Sequence, residues 1–190
     1  MTFANAKTKR RPARDPDGET QALIDAQGDT ADADPVEVAK QILMRQLAAS
    51  AKSRHQLAQV LAKRAVPEAA AAEALDRYTE LGYIDDAAFA RAWVESRQRS
   101  RGLAASALRR ELRDKGIDRE LIDEVVADAV SDDDERAAAR LLVDKKLRSM
   151  RGVSADTATR RLVGMLSRKG YRPGLAYAVV REALNDPPVG

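Results

Sequence analysis

The sequence contains no cysteine, few aromatic residues and no long apolar run. Without cysteine there can be no disulfide and no thiolate metal site, and an intracellular compartment is permitted. No apolar run approaches the roughly 18 residues that a membrane-spanning helix needs, and the start of the chain lacks the apolar core of a secretory signal. We therefore expect a soluble, cytoplasmic protein that does not contact membranes.

Motifs for catalysis are also missing. The chain has no phosphate-binding glycine loop, dinucleotide fingerprint, nucleophile elbow or His-Glu-x-x-His motif. The only histidine, His55, has no nearby partner for acid–base chemistry and is expected at the surface. The acidic run 132–135 suits a helix start better than a cation site. We predict a protein that is not an enzyme and that binds no cofactor or metal.

The residues that are abundant, Ala, Leu, Arg and Glu, favour helix almost everywhere and predict an all-α protein. One pattern occurs three times: two leucines four residues apart, then a basic, a small and an apolar residue. Its leucines advance by 51 and then 54 residues along the chain. The three copies are Leu57, Leu61, Arg64, Ala65, Val66; Leu108, Leu112, Lys115, Gly116, Ile117; and Leu162, Leu166, Lys169, Gly170, Tyr171. A fixed period of this size indicates stacked repeats.

Each copy has a physical interpretation at the end of a helix. Leucines four residues apart share one helix face, and Gly116 and Gly170 can adopt the left-handed conformation that ends a helix. Ala65 can only approximate that conformation, so the first copy is the least regular. The basic residue before each turn faces the negative end of the helix dipole, a preference worth about 0.3 to 1 kcal/mol.

The helix signals divide the chain into a tail and three units of three helices each. We predict a disordered charged tail over 1–34, basic at first and then acidic, and three-helix repeats over 35–83, 84–131 and 132–186. The tail is expected to be solvated, with contact to nucleic acid as the alternative. The array is expected to be elongated and curved, with helix-turn-helix-like units.

Several local features follow from this division. The predicted helix N-caps are Asp34, Ser53, Asp85 or Asp86, Asp118 and Asp132–Asp134. Breaks are expected at Gly102 and Gly152. In the first helix of the third unit, we expect Leu141, Leu142 and Leu147 to face inward. Phe89 and Trp93 predict core packing rather than a base-stacking platform, and Tyr83 and Tyr171 predict core or inter-repeat contacts.

Basic residues gather on the middle helix of the second unit. A step of 100° per residue places Arg109, Arg110 and Arg113 about 100° to 200° from Leu108, in one solvent-facing sector. The remaining members of this candidate site are Arg97, Arg99, Arg101 and Lys115. Arginine can grip phosphate or carboxylate in a bidentate way, which suits DNA or an acidic protein. The alternative is a solvated face on which Glu111 and Asp114 partly pair the charges.

The third unit carries a looser, secondary basic patch. Its members are Lys145, Lys146, Arg148, Arg151, Arg160, Arg161, Arg168 and Lys169. Asp144 and Asp156 dilute this charge. The two patches could follow one acidic or polyanionic groove, but the sequence does not show whether they face the same way.

Two motifs give a family resemblance. Residues 82–97 read GYIDDAAFARAWVESR, and Arg101-Gly102 is followed at 108–117 by LRRELRDKGI. Together they resemble the signature of the regulatory protein RecX family, over about residues 35 to 185. The chain departs from the family pattern at Leu103, where proline often follows the glycine, and at Ala65, where glycine is usual.

The resemblance implies a non-enzymatic modulator of the RecA recombinase. Such proteins bind the RecA filament on DNA, lie in its helical groove and suppress ATP hydrolysis and strand exchange, or promote filament loss. We expect a monomer whose partner is the RecA filament, contacted through the basic sites above, with single- or double-stranded DNA as a direct ligand in addition. The rival hypotheses are an independent DNA-binding or nucleoid-associated protein and a helical adaptor for another protein.

Overall fold

A computed structural model describes residues 34–185, and within that range every regular element is an α-helix. The nine helices of this part of the chain are α1 Pro35–Ala49, α2 Arg54–Lys63, α3 Glu68–Glu80, α4 Asp86–Arg101, α5 Ala105–Asp114, α6 Arg119–Ala129, α7 Asp132–Leu147, α8 Ala155–Arg168 and α9 Pro173–Asn185. The predicted all-α fold of three consecutive helix triplets is confirmed. Apart from Asp34, the predicted tail lies outside the described residues. The unit boundaries and the elongated, curved shape remain predictions.

Each helix triplet closes around its own apolar core. The repeated leucines and their partners on the first helix of each unit are at most 1% exposed: Leu43, Leu57 and Leu61; Val94, Leu108 and Leu112; Val143, Leu162 and Leu166. Each fully buried side chain of this kind contributes about 1.5 to 3 kcal/mol relative to an exposed one. The pattern that is visible in the sequence is therefore the pattern that holds each unit together.

Side-chain caps begin three helices where the sequence predicts them. Ser53, Asp85 and Asp118 accept hydrogen bonds from backbone amides in the first turns of α2, α4 and α6. The prediction for α7 is wrong, because its N-cap is Ser131, which forms a reciprocal capping box with Asp134. The acidic residues after Ser131 fill the first helical turn instead, where they complement the helix dipole.

Two apolar residues that were expected inside the protein lie on its surface. Leu141 is 71% exposed because it stands two residues, and hence about 200°, from the buried Val143 on α7. Tyr83 is 65% exposed, since the next residue, Ile84, fills the core of the first unit at 2% exposure. The ring of Tyr83 rests against Tyr78, with centroids 5.5 Å apart.

The small residue after each middle helix is left-handed in all three units. The φ angles are +55° at Ala65, +72° at Gly116 and +90° at Gly170. Ala65 therefore adopts the same conformation as the glycines, at a cost of about 1 to 2 kcal/mol for an L-residue with a Cβ. The backbone repeats accurately even where the side chain does not.

The two glycines also meet the preceding unit. A Cβ at Gly170 would lie 2.7 Å from both the Cβ and the backbone nitrogen of Ala107, and a Cβ at Gly116 would overlap the side chain of His55. The start of α2 thus packs on the turn after α5, and the start of α5 packs on the turn after α8. We call these two contacts the first and second joints.

Hydrogen bonds tie each joint at the same place. At the first joint, the Ser53 hydroxyl donates to the carbonyl oxygen of Lys115 at 2.6 Å. At the second joint, the backbone amide of Ala104 donates to the carbonyl oxygen of Lys169 at 3.0 Å, and the Ser106 hydroxyl donates to that of Gly170 at 2.5 Å. The turn carbonyls of one unit therefore accept from the start of the previous middle helix.

A carboxylate completes each joint. The backbone amide of Arg54 donates to Asp86 at 2.8 Å, and that of Ala105 donates to Glu135 at 2.7 Å. Both carboxylates lie in the first turn of the next unit's first helix, and both cap a middle helix of the unit before. Asp85 caps α4 itself, so the two neighbouring aspartates serve different helices.

The first unit lacks both joint features on its outer side. Asp86 and Glu135 each stand four residues before a fully buried alanine, Ala90 and Ala139, and the equivalent residue before Ala39 is Pro35. Ala65 replaces the glycine of the other turns. Among the described residues no helix precedes α1, so the turn at Ala65 must be left-handed but need not admit a neighbour.

We predict that Gly170→Ala destabilises the protein more than Gly82→Ala. Both glycines have positive φ, +90° and +75°, but nothing lies within 4 Å of a Cβ at Gly82. Gly82→Ala should cost about 1 kcal/mol for the backbone alone. Gly170→Ala should cost a further 1 to 3 kcal/mol or so for overpacking against Ala107. Urea unfolding measures the difference, and equal losses would show that the joint does not require glycine.

Tyr171 is expected to lower the free energy of unfolding at alkaline pH, because its side chain must keep its proton in the folded state. Its side chain is buried at the second joint and donates a hydrogen bond to the carbonyl oxygen of Gly102 at 3.2 Å. Burial, together with the charge of Glu135, raises the pKa of Tyr171 from 10.0 to about 12. A raised phenol pKa stabilises the folded state fully below pH 10, and that contribution is lost as the pH rises toward 12.

Tyr171→Phe should therefore remove part of the alkaline loss of stability. We expect the free-energy difference between the wild type and this variant to shrink between pH 10.0 and about pH 12, as measured by urea unfolding. If the two proteins lose stability in parallel over that range, Tyr171 does not keep its proton in the folded state.

Candidate partner-binding surface

The three arginines that were predicted to form one basic sector on α5 differ in their exposure and in their ion pairs. Arg110 and Arg113 are exposed, and neither forms an ion pair with any of residues 34–185. Arg109 is only half exposed, because its Nε donates to the Asp123 carboxylate on α6 at 3.0 Å. The prediction that Arg109 shares the solvent-facing sector is thus corrected, since this side chain ties two helices of its own unit.

Glu111 binds basic residues of α4 rather than those of its own helix. Its carboxylate accepts from Arg97 Nε at 2.8 Å, from Arg101 Nη1 at 3.0 Å and from the indole nitrogen of Trp93 at 3.0 Å. The side chains of Glu111 and Arg97 are 22% and 28% exposed, whereas Arg101 is 56% exposed. Two of the predicted partner-binding arginines therefore already share one carboxylate.

Trp93 lies at the centre of these contacts. Its ring stacks on the buried Phe89 with centroids 5.8 Å apart, the Arg97 guanidinium lies 3.9 Å from the ring centroid, and Lys115 Nζ lies 4.6 Å from it. Cations over an indole face contribute about 0.5 to 2 kcal/mol. These contacts agree with the core-packing interpretation of Phe89 and Trp93 and not with a base-stacking platform.

The remaining residues of the predicted site differ in what they offer. Arg99 pairs with Glu95 one turn earlier on the exposed face of α4. Lys115 places its cation on Trp93, while its carbonyl oxygen receives the Ser53 hydroxyl of the first joint. Within the described chain, Arg110 and Arg113 are the members of the set whose charges are both exposed and without a carboxylate partner.

The basic patch of the third unit is largely open to solvent. Its exposed members, none of which forms an ion pair with another described residue, are Lys145, Lys146, Arg148, Arg151, Arg160, Arg161 and Arg168. Asp144 was expected to offset part of this positive charge, but its carboxylate instead pairs with Arg140 at 2.9 Å. This patch holds more uncommitted positive charge than the α5 helix does.

The two basic regions meet at the second joint. Lys169 is half buried there, and its Nζ donates to the carbonyl oxygen of Arg101. Burial lowers the pKa of Lys169, and the positive charges of Arg101 and Lys145 lower it further. Cations of the second and third units are therefore crowded together, in a series that we call the cation line: Arg97, Arg101, Lys169 and Lys145.

Two other kinds of site are lacking among residues 34–185. No group of three or more His, Asp or Glu side chains there could hold a metal ion. No helix in the same range is long and apolar enough to cross a membrane.

Sequence reasoning missed the role of Glu111 and the meeting of the two patches. Glu111 follows Arg110 directly, so the sequence suggested pairing along α5, whereas the packing of α4 against α5 brings Arg97 and Arg101 to it. The repeated basic residue before each turn was one available signal for Lys169. We interpreted this residue only as a partner of the dipole of its own helix, and so did not predict that Lys169 contacts Arg101 of the previous unit.

Comparison with known proteins gives a consistent result. Three family models match the chain: RecX first three-helix domain over residues 39–77, second over 85–126 and third over 133–180. The regulatory protein RecX of Streptomyces coelicolor is 52% identical over 153 residues, which cover 80% of this chain and 81% of that protein. The one from Mycolicibacterium smegmatis is 42% identical over 190 residues, covering 95% and 93%.

Solved structures show the same fold. The crystal structure of RecX from Lactobacillus salivarius superposes with a TM-score of 0.70 at 16% identity, covering 78% of this chain and 96% of that one. A second RecX crystal structure gives a TM-score of 0.68 at 19% identity. At these identities the likeness concerns the arrangement of helices.

Proposed function

Because this chain belongs to the RecX family of regulatory proteins, we propose that it binds the RecA filament on DNA and inhibits its ATP hydrolysis, strand exchange and growth. The observation that carries the proposal is the exposed charge of Arg110 and Arg113 on α5 and of the basic patch on the third unit, none of which pairs with a described carboxylate. A filament of identical subunits repeats the same surface at regular intervals, and stacked units suit such a target because they present their basic groups along an extended surface.

The proposed mechanism is binding without chemistry. Arg110 and Arg113 form bidentate contacts with carboxylates of one RecA subunit, and the cations of the third unit contact a neighbouring subunit or the DNA backbone. A protein that lies across neighbouring subunits in the filament groove restrains the movements that accompany ATP turnover. It also occupies the space into which a second DNA strand would enter.

A second candidate is an independent DNA-binding or nucleoid-associated protein. The exposed lysines and arginines of the third unit favour it, because phosphate binding needs only accessible positive charge. This candidate predicts useful affinity for naked DNA at physiological salt without RecA. In the filament proposal, direct DNA affinity is secondary and falls steeply as salt is added.

The structure defines the variant that tests filament binding. Reversal of Arg109 would place a glutamate against Asp123 and disturb the fold, so the test uses R110E/R113E. We predict that this variant needs at least about tenfold more protein to half-inhibit the ATPase activity of RecA on single-stranded DNA, since tenfold corresponds to about 1.4 kcal/mol. The assay titrates the protein at sub-stoichiometric ratios to RecA.

The matched control is R45E/R91E. Both arginines are exposed, on α1 and α4, and neither forms an ion pair with a described residue. The control makes the same change in net charge and should inhibit like the wild type. Equal loss in both double variants would show that only total charge matters. Undiminished inhibition by folded R110E/R113E would remove α5 from the contact, and no inhibition by the wild type would overturn the proposed function.

A further inference from the structure

Glu111 interrupts the positive surface of the second and third units. It is the carboxylate that contacts Arg97 and Arg101, at 2.8 and 3.0 Å, and no other described acidic group pairs with either arginine. Beyond Arg101 the cation line continues through Lys169 to Lys145. The Glu111 carboxylate therefore pairs with two of the four cations of this series.

The position of Glu111 is maintained by packing as well as by charge. Its carboxylate also accepts the indole N–H of Trp93, and that ring is fixed against Phe89 and covered by Arg97. The side chains of Glu111 and Arg97 are 22% and 28% exposed, so solvent screens this ion pair less than it screens an ordinary surface pair. Arg97 and Arg101 are therefore engaged in the free protein before any partner arrives.

DNA phosphates would have to compete with this carboxylate. A phosphate that displaced Glu111 from Arg101 would leave a partly buried negative charge beside the indole, and it would be repelled by that charge. We propose that Glu111 withholds Arg97 and Arg101 from DNA phosphates and thereby keeps the affinity of this chain for naked DNA low. The same surface keeps Arg110 and Arg113 open for a partner that presents carboxylates in fixed positions.

This inference rests on the proposed function in taking this surface as the partner-binding one. Its test uses naked DNA and no RecA, so the two can fail separately. The first variant is Glu111→Gln, which retains an acceptor for Trp93 and removes the negative charge. We expect it to bind fluorescein-labelled oligothymidylate about tenfold more tightly at about 0.1 M salt. The slope of log affinity against log salt should steepen by about 1.4, as two more phosphate contacts to single strands require.

Two further variants separate this effect from a general change in charge. Glu80→Gln removes a carboxylate that pairs with Arg77 at 3.3 Å in the first unit, away from the cation line, and should leave binding within about twofold. In the Glu111→Gln background, Arg101→Gln should reverse about half of the gain in slope. Emission from Trp93, the single tryptophan, together with circular dichroism, reports whether each variant is folded.

The proposal is overturned if folded Glu111→Gln binds DNA with the affinity and salt slope of the wild type, or if Glu80→Gln gives the same gain. If Glu111→Gln does not fold, two single arginine variants of the otherwise wild-type protein test the proposal by their DNA affinity at low salt. Arg101→Gln should then leave DNA binding unchanged, whereas Arg110→Gln should weaken it. Equal weakening by both would show that Glu111 does not withhold Arg101.

Discussion

The close approach between each middle helix and the turn of the following unit determines how consecutive units meet. At both joints a glycine with positive φ leaves room for the start of the preceding helix, at His55 for Gly116 and at Ala107 for Gly170. Turn carbonyls accept hydrogen bonds from that start, and a carboxylate of the next unit caps it. The same second joint brings Lys169 to Arg101, so the relation between the two basic regions follows from this contact.

This constraint also explains which small residue each turn carries. The left-handed backbone is common to all three units, but a missing Cβ is required only where a preceding unit packs on the turn. Ala65 is therefore compatible with the first unit, whose first helix also has Pro35 where the others have a capping carboxylate. End units of repeat proteins differ from inner ones for this reason, because their outer faces meet solvent.

Much of the fold could be predicted because its signals are local. Leucines four residues apart, a cap before each helix and a glycine after it depend on a few neighbouring residues, and most of these predictions are confirmed. The errors occur where a choice depends on packing between helices. Leu141 and Leu142 are the same residue type at adjacent positions. Leu142 packs against the core of the third unit, whereas Leu141 lies outside the buried face of α7 and is exposed. Likewise, Arg109 differs from Arg113 because α6 presents Asp123 to it.

The candidate site shows the same limit and defines the decisive measurement. The sequence could identify the arginines but not which of them pair with carboxylates. In the structure Arg97, Arg101 and Arg109 have carboxylate partners, whereas Arg110 and Arg113 have none among the described residues. A photo-crosslinking residue at position 113, with one at position 45 as control, tests the central claim directly on RecA filaments assembled on single-stranded DNA. The account predicts cross-links from position 113 to RecA and few from position 45. Cross-links from position 113 to DNA alone, or none at all from a variant that still inhibits RecA, would contradict it.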